Sequence, residues 1–178
     1  MRKTASFYFV LISRVHIHNI PLQMLQHQGV DYLAVAFADE GVLLRERGIT
    51  MPVVVLNADA DSFDQMIANR LEPEIYSFRS LADFADAVSH AGETRYPVHI
   101  KLDTGMHRLG FMEGEIGRLC EVLPTLPAVK VASVFSHLNC ADMPEEDAYT
   151  REQIACYDRM SAAVAASLPY FVIRHTAN

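Results

Sequence analysis

The stretch KLDTGMHRLGF at residues 101–111 concentrates the side chains best suited to chemistry. Period-two alternation through residues 97–103 puts Val98, Ile100 and Leu102 on one side of an expected strand and His99, Lys101 and Asp103 on the other. Such a strand delivers Lys101 and Asp103 to its carboxyl end, Thr104 and Gly105 turn the chain, and His107 and Arg108 sit on the loop beyond. A cationic loop in that place suits an anionic ligand such as a phosphate, a carboxylate or a phenolate. The same spacing also allows Lys101, Asp103 and Arg108 to neutralise one another.

Three histidines, His107, His137 and His175, fall at or near expected strand ends. Imidazoles and carboxylates converging there can hold zinc. No HExxH pair is present, and the expected reading is hydrogen-bonded or stacked imidazoles with no metal.

The elements that must position these groups alternate. Strands are expected at 32–36, 52–57, 74–78, 97–103, 130–138 and 170–178, with a lead-in strand at 7–12. Between them run stretches of helical period. Leu81, Phe84, Ala85 and Val88 define one buried face, and Ile116, Leu119, Cys120 and Leu123 another, which makes Cys120 a core residue. A third helix is expected over 148–168 with Ile154, Tyr157, Ser161, Val164 and Leu168 on its packed side. Strand and helix in turn give a parallel sheet, either open and doubly wound or part of a (β/α)8 barrel.

An open sheet covered on both sides buries both faces and reads as nearly continuous hydrophobe. The ionic side of 97–103, and His137 at the carboxyl end of the next strand, favour the barrel. A complete barrel takes about 250 residues. The expected fold class is therefore α/β, an incomplete (β/α)8 TIM-type barrel of parallel strands alternating with helices, and the chain is read as truncated, stopping within a strand.

Composition narrows the function. With 178 residues, 51% apolar and 21% charged, the chain can bury one globular core. A net charge of −7 with 15 Lys+Arg weighs against nucleic acid as a partner, and no apolar run is long enough to span a membrane. Cys120, Cys140 and Cys156 form an odd set without a CxxC pair, which fits a reducing cytoplasm. Met1, Arg2 and Lys3 before the apolar run imitate a secretory leader, but Arg14, His16 and His18 follow at once with no small-residue cleavage site.

KLDTGMHRLGF at 101–111, FSHLNCAD at 135–142, PVVVLN at 52–57 and RHTAN at 174–178 together resemble the alanine racemase family, over about Leu25 to Asn178. The resemblance implies a cytoplasmic pyridoxal phosphate enzyme interconverting L- and D-alanine for peptidoglycan synthesis. It also implies a barrel followed by a separate β domain, in a homodimer whose partner completes each site. Residues 25–178 are then the N-terminal barrel domain, and 1–24 an atypical segment in place of the family's first strand.

Carried over by the same resemblance, Arg108 donates to the cofactor's phenolic oxygen and Lys101, often carbamylated in the family, braces it. His137 stacks on the pyridine ring, Leu56 walls the pocket, and Asn178 matches the asparagine of the phosphate-binding motif. The family's Schiff-base lysine and the tyrosine base have no counterpart. The lysines are Lys3, Lys101 and Lys130 alone, FVLISRVHIHN stands where a VKA-type strand is expected, and Arg14 cannot form a Schiff base. An inactive fragment prone to aggregation is the expected reading. The alternatives are a racemase of another amino acid and a non-catalytic pyridoxal phosphate-binding protein.

Overall fold

The computed structural model describes residues 9–12 and 29–177. Lys3, Arg14, Leu25, Asn178 and most of the 1–24 segment lie outside the described residues. The chain packs as two compact units, Met1–Glu74 and Ile75–Asn178.

In the first unit, β1 (Phe9–Leu11), β2 (Tyr32–Val35), β3 (Val53–Val55) and β4 (Glu72–Ile75) pair in chain order, all parallel. Helix α1 (Ala38–Glu46) connects β2 to β3, and α2 (Phe63–Ala68) connects β3 to β4. Leu33, Val35, Val53, Val55, Leu44 and Met66 are fully buried, as the β-branched and helical patterns require. Arg45, in the last turn of α1, donates to the carbonyls of Ile49, Met51, Asn69 and Arg70 at 2.8–2.9 Å. One guanidinium thus satisfies main-chain acceptors of two connections at once.

In the second unit, α3 (Phe78–His90), β5 (Tyr96–Lys101), α4 (Ile116–Val122), β6 (Val129–His137), α5 (Asp147–Ala166) and β7 (Ile173–Ala177) follow in turn. Strands β5, β6 and β7 pair in that order, all parallel. Ser77 caps α3 by accepting the Ser80 N–H at 3.1 Å, and Leu81, Phe84, Ala85 and Val88 form its buried face as the spacing predicts. The register between β5 and β6 slips after Val98↔Val131, so that His99 pairs with Ser133 and Ala132 has no opposite number.

Several boundaries differ from expectation. The strand expected at 74–78 runs Glu72–Ile75, because Glu72 and Pro73 pair with Val54 and Val55 despite their poor strand propensity. Cys120 is half-buried rather than core. On α5 the packed side is Gln153, Tyr157, Met160, Ser161 and Val164, while Ile154 is 37% exposed. The helix is rotated so that Gln153, not Ile154, turns inward.

Among the described residues no helix is long and apolar enough to cross a membrane.

Candidate functional site

The carboxyl ends of β5, β6 and β7 carry the side chains singled out from the sequence. After β5 the chain loops from Leu102 to Phe111 and returns to close on itself. Asp103 N–H donates to the Phe111 carbonyl, and Phe111 N–H to the Lys101 carbonyl, both at 2.9 Å. Gly110, at φ +132, is obligatory there: a Cβ would meet Asp103 N at 2.5 Å and the Leu102 carbonyl carbon at 2.6 Å. The Asp103 carboxylate organises the loop from within, accepting the Gly105 and His107 N–H groups at 3.0 Å each. Asp103 is therefore a loop-shaping residue, with His107 Nδ1 at 3.9 Å from its second oxygen.

This loop presents Arg108 in the open. Arg108 is exposed and makes no hydrogen bond or ion pair among the described residues. His107, beside it, is also exposed and occupies the left-handed region at φ +54. The mutual neutralisation that the spacing allowed does not engage Arg108.

His137 ends β6 and is half-buried. Burial, then the positive charges of Lys101 and Arg108, push its pKa below the usual imidazole value. Lys101 and Arg108, named from the KLDTGMHRLGF stretch, thus act electrostatically on His137 of the FSHLNCAD stretch and favour its neutral form. A neutral flat ring beside two cations is chemically matched to a planar anion.

Beneath them the inward face of the strands is polar but buried. Lys101 is 7% and His99 1% exposed. Lys101 Nζ lies 5.6 Å from the Phe135 ring centroid, and Phe135 in turn stacks on His175, centroids 5.3 Å apart with planes 4° from parallel. His99 Nδ1 and the Ser133 hydroxyl are hydrogen-bonded at 2.7 Å, and Ser133 Oγ is 3.4 Å from His175 Nε2. His175 belongs to this buried chain. Burial and the nearby His99 lower its pKa to about 4.

Sequence reasoning missed Ser133 and Phe135, although both alternate in period two with His137 on β6. It also missed Tyr149 and Gln153 of α5, whose signal is a pair of polar residues four apart on a packed helix face. Leu56 follows β3 in the first unit, half-buried, its N–H bonded to the Val35 carbonyl at 3.0 Å. Asn178 lies outside the described residues. Among the described residues no group of three His, Cys, Asp or Glu is placed to hold a metal ion.

Parallel strands alternating with helices, with a cation-rich loop at the carboxyl strand ends, define a protein of the α/β class that keeps its ligand chemistry at that end. The family described as alanine racemase, N-terminal domain, matches residues 18–178, and the chain belongs to that family. It is 36% identical over 154 residues to the alanine racemase of Symbiobacterium thermophilum, covering 84% of this chain and 40% of that protein. It is 30% identical over 175 residues to that of Sorangium cellulosum, covering 95% and 46% respectively. Among solved structures, the alanine racemase of Clostridium difficile 630 superposes with a TM-score of 0.85 at 28% identity, over 96% of this chain and 45% of that one. A structure of the same enzyme is a complex with cycloserine. The fold class is accordingly the incomplete (β/α)8 barrel read from the sequence. The chain spans less than half the length of these relatives.

Proposed function

We propose that this chain is the cofactor-holding part of a pyridoxal phosphate-dependent racemase acting on alanine. The observation that carries the reading is the Arg108 guanidinium, exposed at the carboxyl strand ends without a hydrogen bond or ion pair among the described residues, near half-buried His137, whose pKa burial and then the charges of Lys101 and Arg108 lower. This donor set fits a cofactor that is a flat ring bearing a phenolate. Arg108 donates to the phenolic oxygen, Lys101 braces that side as an ammonium or after carbamylation, and His137 lies against the ring. Leu56 and Asn178 are proposed as further cofactor-binding residues on the strength of the family resemblance alone. When bound, pyridoxal phosphate supplies an electron sink that acidifies the α-proton of an amino acid.

By the same reading the product serves peptidoglycan synthesis, the setting is cytoplasmic, and the working form is a homodimer whose partner completes the site. Racemisation needs one base to remove the α-proton and another to return it on the opposite face. We assign neither role to a residue of this chain, so a polypeptide of these 178 residues alone is expected to bind the cofactor without racemising alanine above the free-cofactor background.

The test is a titration of the purified chain with pyridoxal phosphate, followed by absorbance and equilibrium dialysis. Saturable binding weakened at least about tenfold in Arg108→Ala, the loss of a charge-assisted hydrogen bond, is expected. Absence of saturable binding, or equal binding by the variant, overturns the reading.

A further inference from the structure

The loop after β5 and the loop after β6, which carry Arg108 and follow His137, are both fastened to one helix. The Tyr149 hydroxyl donates to the Gly105 carbonyl at 2.6 Å, and Gln153 Oε1 accepts the Asn139 N–H at 3.0 Å. Tyr149 and Gln153 are four apart on α5 and therefore share a face. The fit against the first loop is tight: a Cβ at Gly105, φ +138, would meet the Tyr149 hydroxyl at 2.5 Å and Gln153 Cγ at 3.4 Å.

Gln153 occupies this position at a cost. It is 1% exposed, and its Nε2 is buried without a hydrogen-bond partner, as is the Thr150 hydroxyl one residue after Tyr149. A buried unsatisfied donor costs about 1–3 kcal/mol. A leucine would fill the same space without that cost, so the bond to Asn139 is what the glutamine contributes.

We propose that Tyr149 and Gln153 are positioning residues, which set the spacing of Arg108 and His137 by pinning the two loops to α5. The inference rests on the cofactor reading above for its purpose. Its physical content, the coupling of two loops through one helix, stands without the cofactor. The helix acts on the site only through main-chain atoms of Gly105 and Asn139, so neither side chain need touch a ligand. The bonds also act in series with the Thr104–Ser136 hydroxyl contact at 2.8 Å, which ties the first loop to the residue before His137.

The experiment compares the full chain with Tyr149→Phe and Gln153→Leu, both of which keep side-chain volume. Three readouts are taken: thermal melting, amide hydrogen exchange with NMR titration of His137, and pyridoxal phosphate affinity. In each variant the melting temperature is expected within about 3 °C of the parent, in Gln153→Leu because relief of the orphaned Nε2 offsets the lost bond to Asn139. Exchange in 103–110 and 138–142 is expected to quicken at least about tenfold while β5 and β6 stay protected. The His137 pKa is expected to rise part of the way toward its ordinary value as the charge of Arg108 loses its fixed distance, and cofactor affinity to fall about fivefold.

A large melting drop with exchange quickened throughout would make both residues merely structural and overturn the proposal. Unchanged loop exchange and unchanged His137 titration would overturn it as well. If the parent chain binds no cofactor, the functional reading fails by itself, and the exchange and titration arms still decide the positioning claim.

Discussion

His175 lies flat against Phe135, their planes 4° from parallel, while its Nε2 is 3.4 Å from the Ser133 hydroxyl. Burial first, and His99 second, bring its pKa down to about 4. The folded chain therefore keeps this imidazole neutral where an unfolded chain, with an ordinary value near 6.5, would protonate it. Stability from this group is fully present above about pH 6.5 and is lost as pH falls toward 4, by up to roughly 3 kcal/mol. Urea denaturation at pH 7 and pH 4.5 is expected to show the loss in the parent chain. The loss is expected to be smaller in His175→Phe, with a residue left over from His137, whose pKa is lowered in the same direction.

Gly110 and Gly117 give opposite outcomes on substitution by alanine. At Gly110 the added Cβ meets main-chain atoms of Leu102 and Asp103 closer than any relaxation of a side chain can relieve. Gly110→Ala is expected to cost at least about 3 kcal/mol and to disorganise the loop that carries Arg108. Gly117, inside α4, has nothing within 4 Å of the added atom. Gly117→Ala is expected to stabilise by about 0.5–1 kcal/mol through helix propensity. Chemical denaturation of the two variants side by side checks both signs.

Arg45 is expected to be irreplaceable by lysine. Its three nitrogens reach four carbonyls, which a single ammonium cannot span. Arg45→Met and Arg45→Lys are both expected to lose about 2–4 kcal/mol from the first unit, with lysine recovering less than half. Urea melts followed by circular dichroism measure the loss.

Tyr32 and Tyr157 are expected to ionise late, each at about pH 12. Burial is the main cause in both. For Tyr157 the hydroxyl also donates to the Val134 carbonyl at 3.0 Å, a bond that Tyr157→Phe removes. Ultraviolet titration of the folded chain, with Tyr157→Phe losing one late-titrating group, checks the assignment.

The sequence made the order of elements legible because buried β-branched runs and amphipathic helices leave local periodic traces. Leu81, Phe84, Ala85 and Val88 were placed correctly on that basis alone. Glu72 and Pro73 were not, since their strand geometry is imposed by pairing with Val54 and Val55, a partner that local propensity does not contain. On α5 the hydrophobic rule chose Ile154, and the structure chose Gln153, because a main-chain N–H from a loop 14 residues earlier needs an acceptor. At the site, Lys101, Arg108 and His137 were named from their types and order, whereas Phe135 as the shared neighbour of Lys101 and His175 depends on the register of three strands.

The unmatched Ala132 in β6 works as a parity correction. On its two sides the strand is read in opposite phase: Val131 before it and Val134 after it face the same way, and this leaves Ser133, Phe135 and His137 to point toward the chemistry. Removing that one alanine would not merely shorten a strand. It would exchange the inner and outer lettering of everything downstream.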